Sequence, residues 1–124
     1  MARLELDGVD LHEADLLSIQ LEYASLSHAN LNSVNFRNAN LMGVSFQQAD
    51  MRMADLRGAT IAGAHFEGAD LRGAKLDGAK WEVDAVDVDT GKRFRYALTF
   101  DEHTLLPNGA NWKNLTDIAQ FVDL

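Results

Sequence analysis

The 124 residues contain no cysteine, which excludes disulfides, thiolate catalysis and cysteine-held zinc. Proline occurs once, at Pro107, so no backbone position before it is barred from donating a hydrogen bond. Cations are few: 11 Lys and Arg face 19 Asp and Glu, for a net charge of −8 and a pI near 4.7. Binding to a phosphate backbone or an anionic membrane needs clustered Lys and Arg, so direct contact with nucleic acid or membrane is not expected, and a basic partner stays open. No apolar run approaches the ~18 residues of a membrane-spanning helix. Regular patterning starts at Leu4, leaving no space for a basic and then apolar leader, so the expectation is a soluble, cytoplasmic protein. Gly-rich phosphate loops and a G-x-S-x-G elbow are missing as well.

What is present is a run of sixteen five-residue units from Leu4 to Val83, without insertion or deletion. Their centres are Leu6, Leu11, Leu16, Leu21, Leu26, Leu31, Phe36, Leu41, Phe46, Met51, Leu56, Ile61, Phe66, Leu71, Leu76 and Trp81, all apolar. Two places before each centre stands a small or apolar residue, Ala in eleven units and Leu4, Val9, Ile19, Val34 or Val44 in the others. One place before, the residue is always polar. Neither a helix of period 3.6 nor a strand of period 2 keeps every fifth residue on one face for eighty residues. A chain that turns a corner once per unit does, and four corners close a twenty-residue square. Such squares stack at about 4.8 Å, the spacing of hydrogen-bonded strands.

The units Ala54-Asp55-Leu56-Arg57-Gly58, Ala69-Asp70-Leu71-Arg72-Gly73 and Ala74-Lys75-Leu76-Asp77-Gly78 carry a resemblance to the pentapeptide-repeat family. It covers residues 4–83 and implies a mainly β protein, a right-handed quadrilateral β-helix; the handedness comes from the resemblance alone. Sixteen units at four per turn give about four coils. Folding by twenties stacks Leu6, Leu26, Phe46 and Phe66 on one wall, with Phe46 placed to meet Phe66. Ala at the smaller inward position lets four large side chains share the bore.

Charge is uneven along the repeat. The first twenty residues hold Glu5, Asp7, Asp10, Glu13, Asp15 and Glu22 with no cation, and the next twenty hold only Arg37. Further on, Arg52 stacks under Arg72, and Lys75 over Asp55 and Asp77 over Arg57 are expected to neutralise one another along ladders that run between coils. Some relatives in the resembled family mimic DNA and bind gyrase, a role that needs negative charge spread along the rod. Here it is pooled at one end, so inhibition or protection of a type II topoisomerase is the alternative reading. The acidic end fits protection of an open strand edge against association.

No catalytic, cofactor or metal site is expected. His28 and His65 fall on one wall but two coils apart, about 10 Å by strand spacing, too far to share a zinc ion. Asp50 and Asp70 lie one coil apart, and Arg52 and Arg72 beside them suit a neutralised pair better than acid–base chemistry. The leading expectation is therefore a non-catalytic scaffold for a protein partner of unknown identity, monomeric or weakly dimeric. Outward apolar residues with no evident core role, Leu17, Tyr23, Met42, Met53 and Ala62, are the candidate partner contacts, with Met42 and Ala62 on one ladder near Tyr23.

After Trp81 the period breaks. Residues 82–88 and 93–100 alternate around the turn Asp89-Thr90-Gly91-Lys92, a hairpin pattern. Leu105-Leu106-Pro107-Asn108-Gly109 reads as a turn, similar to a segment that closes some pentapeptide proteins. Residues 110–114 read as one more unit, and Thr116 as the cap of a short helix with Ile118, Phe121 and Val122 on one side. Residues 84–124 are expected to form a capping segment, with Phe100, Trp112 and Phe121 or their neighbours over the last apolar centres.

Overall fold

A computed structural model describes residues 3–86, 89–97 and 99–109. From Glu5↔Ser25 to Thr60↔Lys80, parallel bridges join each polar slot to the polar slot twenty residues on. Three backbone bonds per unit build these ladders. The N–H of a centre donates forward, as Phe36 does to Asp55 C=O at 2.8 Å; the N–H two places later also donates forward, as Asn38 does to Arg57 C=O at 3.0 Å. The polar slot donates backward, as Asn35 does to Ala14 C=O at 2.9 Å. With backbone groups paired in this way, the main chain can border an apolar bore without the cost of unmet polar groups.

Each corner is a tight turn in which the centre's C=O accepts from the N–H three residues on, as Phe36 accepts from Ala39 at 3.0 Å. Its third residue is left-handed, the requirement of a type II turn. That slot has positive φ in every unit from Gly8 to Gly78, near 70° at seven glycines and near 60° at Glu13, Ser18, Tyr23, His28, Ser33, Asn38, Gln48 and Met53. The recurrence of glycine at the end of a unit thus has a backbone cause, and eight residues with side chains take the same conformation at some strain.

The core is continuous from Leu21 to Leu106. Leu26, Leu31, Phe36, Leu41, Phe46, Met51 and Leu56 are wholly buried. Phe46 stacks on Phe66 at 5.2 Å, as the register requires, and Phe36 meets Phe46 edge-on at 6.1 Å. The inward residues of the first twenty, Leu6, Val9, Leu11, Ala14, Leu16 and Ile19, pack against this core but stay partly exposed.

Two strands leave the repeat as an antiparallel hairpin, β1 (Glu82–Val86) and β2 (Arg93–Ala97), in the register Glu82↔Ala97 to Val86↔Arg93. The sequence pattern carried the second strand to Phe100; the structure ends it at Ala97 and returns the chain to the stack. Thr99 bridges His65 and Leu105 bridges Asp70, both parallel. Phe100 stacks on Phe66 at 5.7 Å, and Leu106 and Thr104 are buried. So Leu105 and Leu106 continue the ladder and core, and only the residues after them turn. The spacing from Phe100 to Leu106 is six, and the ladder absorbs the extra residue with a side chain. Asp101 Oδ1 accepts the Gly68 N–H at 2.9 Å, where a main-chain carbonyl serves in regular units. The expected unit at 110–114, Trp112, and the helix after Thr116 lie outside the described residues.

Candidate functional site

The outer surface is organised by the polar slot. At eight units its Asp or Asn side-chain oxygen accepts the backbone N–H two residues on, from Asp10 with His12 at 3.2 Å to Asp70 with Arg72 at 3.1 Å. In those units the bond pins the start of the corner, so the side chain there leaves the rod in a fixed direction. Where the slot is Asp and that residue is arginine, its guanidinium folds back on the same carboxylate as a two-pronged pair. Arg52 holds Asp50 at 2.9 and 2.8 Å, Arg57 holds Asp55 at 2.9 and 2.7 Å, and Arg72 holds Asp70 at 2.9 and 2.6 Å. Neutralisation therefore runs mainly within a unit, and not along ladders between coils as the sequence pattern implied. Two residues of separation across a tight turn bring the pair closer than a coil step does.

These bonds set the electrostatics. Asp50, Asp55 and Asp70 are held below the usual carboxylate range, first by the hydrogen bonds from Arg52, Arg57 and Arg72, against an opposing effect of partial burial. His12 is raised above its ordinary value by its 2.7 Å contact with Asp10. Burial pushes Asp101 up, but the Gly68 and His103 N–H groups and the Thr104 hydroxyl outweigh it and leave the group low.

Of the five candidate contact residues, Tyr23, Met53 and Leu17 are 53%, 57% and 49% exposed. Ala62 is completely buried and is no part of an outer face. Its ladder continues from Met42 on one side towards the start of β1 on the other, in the register of Thr60↔Lys80, so it is sandwiched where a free corner was expected. Met42 is half-buried, and the Tyr23 hydroxyl reaches its Sδ at 3.8 Å. The structure thus joins Tyr23 to Met42 and sets Leu17 and Met53 on two other corners.

Tyr23 and Met53 also have local seats that their outward slots alone do not mark. Both sit at left-handed corners and lean over the glycine of the next coil. A Cβ on Gly43 would run into Tyr23 Cδ1 and Cε1, and one on Gly73 into Met53 Sδ. Asn38 lies over Gly58 in the same way. The signal was available as a large residue followed twenty places on by glycine at the end of a unit.

Leu17 and Met53 each border a shallow depression beside a stacked pair of arginines. One, of about 480 Å³, is lined by Leu17, Arg37, Asn38, Arg57 and Gly58. The other, of about 340 Å³, is lined by Asn32, Arg52, Met53, Arg72 and Gly73. Both combine an apolar residue, guanidinium groups, an amide and a glycine.

Comparison with known proteins agrees with this geometry. No curated protein matches the chain. Among solved structures, a pentapeptide repeat protein of Nostoc PCC 7120, alr5209, is 38% identical over 63% of this chain and 64% of its own, with a TM-score of 0.62. Rfr23, from the cyanobacterium Cyanothece 51142, is 30% identical over 84% of this chain and 61% of its own, with a TM-score of 0.71. HetL of Nostoc PCC 7120, a pentapeptide repeat protein involved in heterocyst differentiation regulation, is 27% identical over 87% of this chain and 43% of its own, with a TM-score of 0.68. The chain thus spans less than two thirds of the length of each. Pentapeptide repeats, 8 copies, match residues 5–41, 19–58 and 54–80. With ladders repeating every twenty residues and one corner per unit, this chain belongs to the pentapeptide repeat family, whose fold is the quadrilateral β-helix.

Proposed function

We propose that the chain is a non-catalytic interaction scaffold, a right-handed rod of about four coils over residues 4–83 with residues 84–124 as its capping segment. It acts in the cytoplasm by presenting fixed corners to a protein partner. The supporting observation is that large apolar side chains stand out from the corners: Tyr23, Met53 and Leu17 are each about half exposed. Two of them are seated on glycines, so little rotamer freedom remains to be lost on binding. Membership of the family supports the scaffold reading at the level of the fold. DNA mimicry is supported less, because Asp50, Asp55 and Asp70 are each matched by an arginine, leaving no continuous acidic track along those walls.

The test is cross-linked capture of a partner from the source organism with the native chain and with a Tyr23→Asp, Leu17→Asp, Met53→Asp variant. The reading expects one dominant complex that the variant loses while its circular dichroism stays native. A complex retained by the variant would remove these residues from the contact surface. A DNA gyrase supercoiling assay separates the alternative, which requires inhibition or protection at micromolar protein.

A further inference from the structure

The two arginine-lined depressions look alike in composition but differ in charge balance. Around Met53, Arg52 and Arg72 each have their own carboxylate, Asp50 and Asp70, so both cations are matched. Around Leu17, Arg37 and Arg57 both face Asp55, and Asp77 acts on Arg57 from one coil further on. Asp55 is taken by both prongs of Arg57, and Arg37 approaches it only at 4.0 Å. The polar slot that would serve Arg37 holds Asn35, which pins the Arg37 N–H through its amide oxygen but brings no charge. Arg37 is therefore a half-exposed guanidinium whose nearest carboxylate, Asp55 at 4.0 Å, is already hydrogen-bonded by Arg57. It lies one ladder step, about 4.8 Å, from Arg57. The Asn38 amide lies over Gly58 between them and the floor, and Leu17 offers an apolar wall one coil earlier.

We infer that this depression binds an acidic segment of a protein partner, with one carboxylate on Arg37 and Arg57 and an adjacent apolar side chain on Leu17. The inference rests on the scaffold reading and adds the chemistry of the partner. A carboxylate placed there gives Arg37 the hydrogen-bonded pairing that Asp50 and Asp70 already give Arg52 and Arg72, since guanidinium groups take carboxylates in paired geometry. The chain's net charge of −8 opposes general attraction of acidic peptides, so binding requires direct pairing with these guanidinium groups.

The experiment uses the full chain, ¹⁵N-labelled, and an acetylated six-residue peptide of alternating Glu and Leu, followed through arginine Nε–H resonances. The expected result is saturable shifts at Arg37 and Arg57 with Arg52 and Arg72 unmoved. Arg37→Gln is expected to weaken binding at least about tenfold, as loss of a charge-assisted hydrogen bond predicts. Arg52→Gln should leave it unchanged. Equal shifts at all four arginines, no saturation, a Gln and Leu peptide that binds as well, or a stronger response to inorganic phosphate would each overturn the inference. Native circular dichroism of both variants excludes unfolding as the cause. Loss of peptide binding in Arg37→Gln alongside an intact native complex would sink the inference while leaving the scaffold standing. A scaffold failure would instead appear as absence of any complex sensitive to the Tyr23, Leu17 and Met53 changes.

Discussion

Replacing Gly43 by alanine should damage the rod more than the same change at Gly78, although both positions have φ near 70°. At Gly78 the nearest atom to an added Cβ is Gly58 N at 3.8 Å, so the change meets backbone strain alone. That strain costs about 1 kcal/mol for alanine in the left-handed region. At Gly43 the Cβ occupies the place of the Tyr23 ring. Tyr23 is 53% exposed, so nearly half of the side chain is covered. Covered area of about 80 Å² at about 25 cal/mol per Å² is worth about 2 kcal/mol, and displacing the ring forfeits much of it. Gly43→Ala is then expected to cost about 2–3 kcal/mol in urea denaturation, and Gly78→Ala about 1 kcal/mol. In a Tyr23→Ala background, Gly43→Ala should fall back to about 1 kcal/mol, a coupling above the ~0.5 kcal/mol scatter of independent sites. Equal costs for the two glycines, or additive costs for Tyr23 and Gly43, would refute the idea that glycine seats the exposed tyrosine.

Leu56→Asp sets an unpaired charge in a wholly buried slot and is expected to unfold the repeat, with a loss of about 4 kcal/mol or more read as collapse of the thermal transition. Asp50, Asp55 and Asp70 have folded pKa values depressed below their unfolded ones, so their contribution is present above about pH 4 and lost as pH falls through the folded values. Changing all three to Asn keeps an oxygen for the corner bond and removes the ion pair. The acid limb of stability against pH should flatten while stability near pH 7 falls. Phe100→Ala removes the ring stacked on Phe66 at 5.7 Å and is expected to cost about 3 kcal/mol by chemical denaturation. A cost below about 1 kcal/mol would place Phe100 outside the core.

The repeat was legible because a five-residue period with sixteen apolar centres admits few folds, and Phe46 against Phe66 followed from counting by twenties alone. Ala62 was misplaced because its slot faces outward in a regular unit, while burial there depends on where the chain goes next. Ion pairing was read along the wrong direction because coil spacing was visible in the sequence and the tight turn joining Asp50 to Arg52 was not. Phe100 was expected over the last apolar centres and lies on Phe66, whereas Thr99 as a ladder position and Thr104 and Leu106 as core were hidden by the hairpin before them and by the six-residue step between Phe100 and Leu106. Among candidate contacts, exposure of Leu17, Tyr23 and Met53 followed from their slots. Arg37 was visible as the lone charge between residues 24 and 43, and its setting beside Leu17 and Asp55 required the ladder.

The twenty-residue register carries the core, the corners and the candidate surface together, and the absence of native cysteine allows a direct test of it. Asn40 and Thr60 are bridge partners on adjacent coils, so cysteines at both positions have backbones about 4.8 Å apart, within disulfide reach. Cysteines at Asn40 and Asp55 fall on different walls. Under mild oxidation, the Asn40→Cys, Thr60→Cys protein should close an intramolecular disulfide with native circular dichroism, while Asn40→Cys, Asp55→Cys stays reduced. Closure of the second pair in preference to the first would contradict the register and everything built on it.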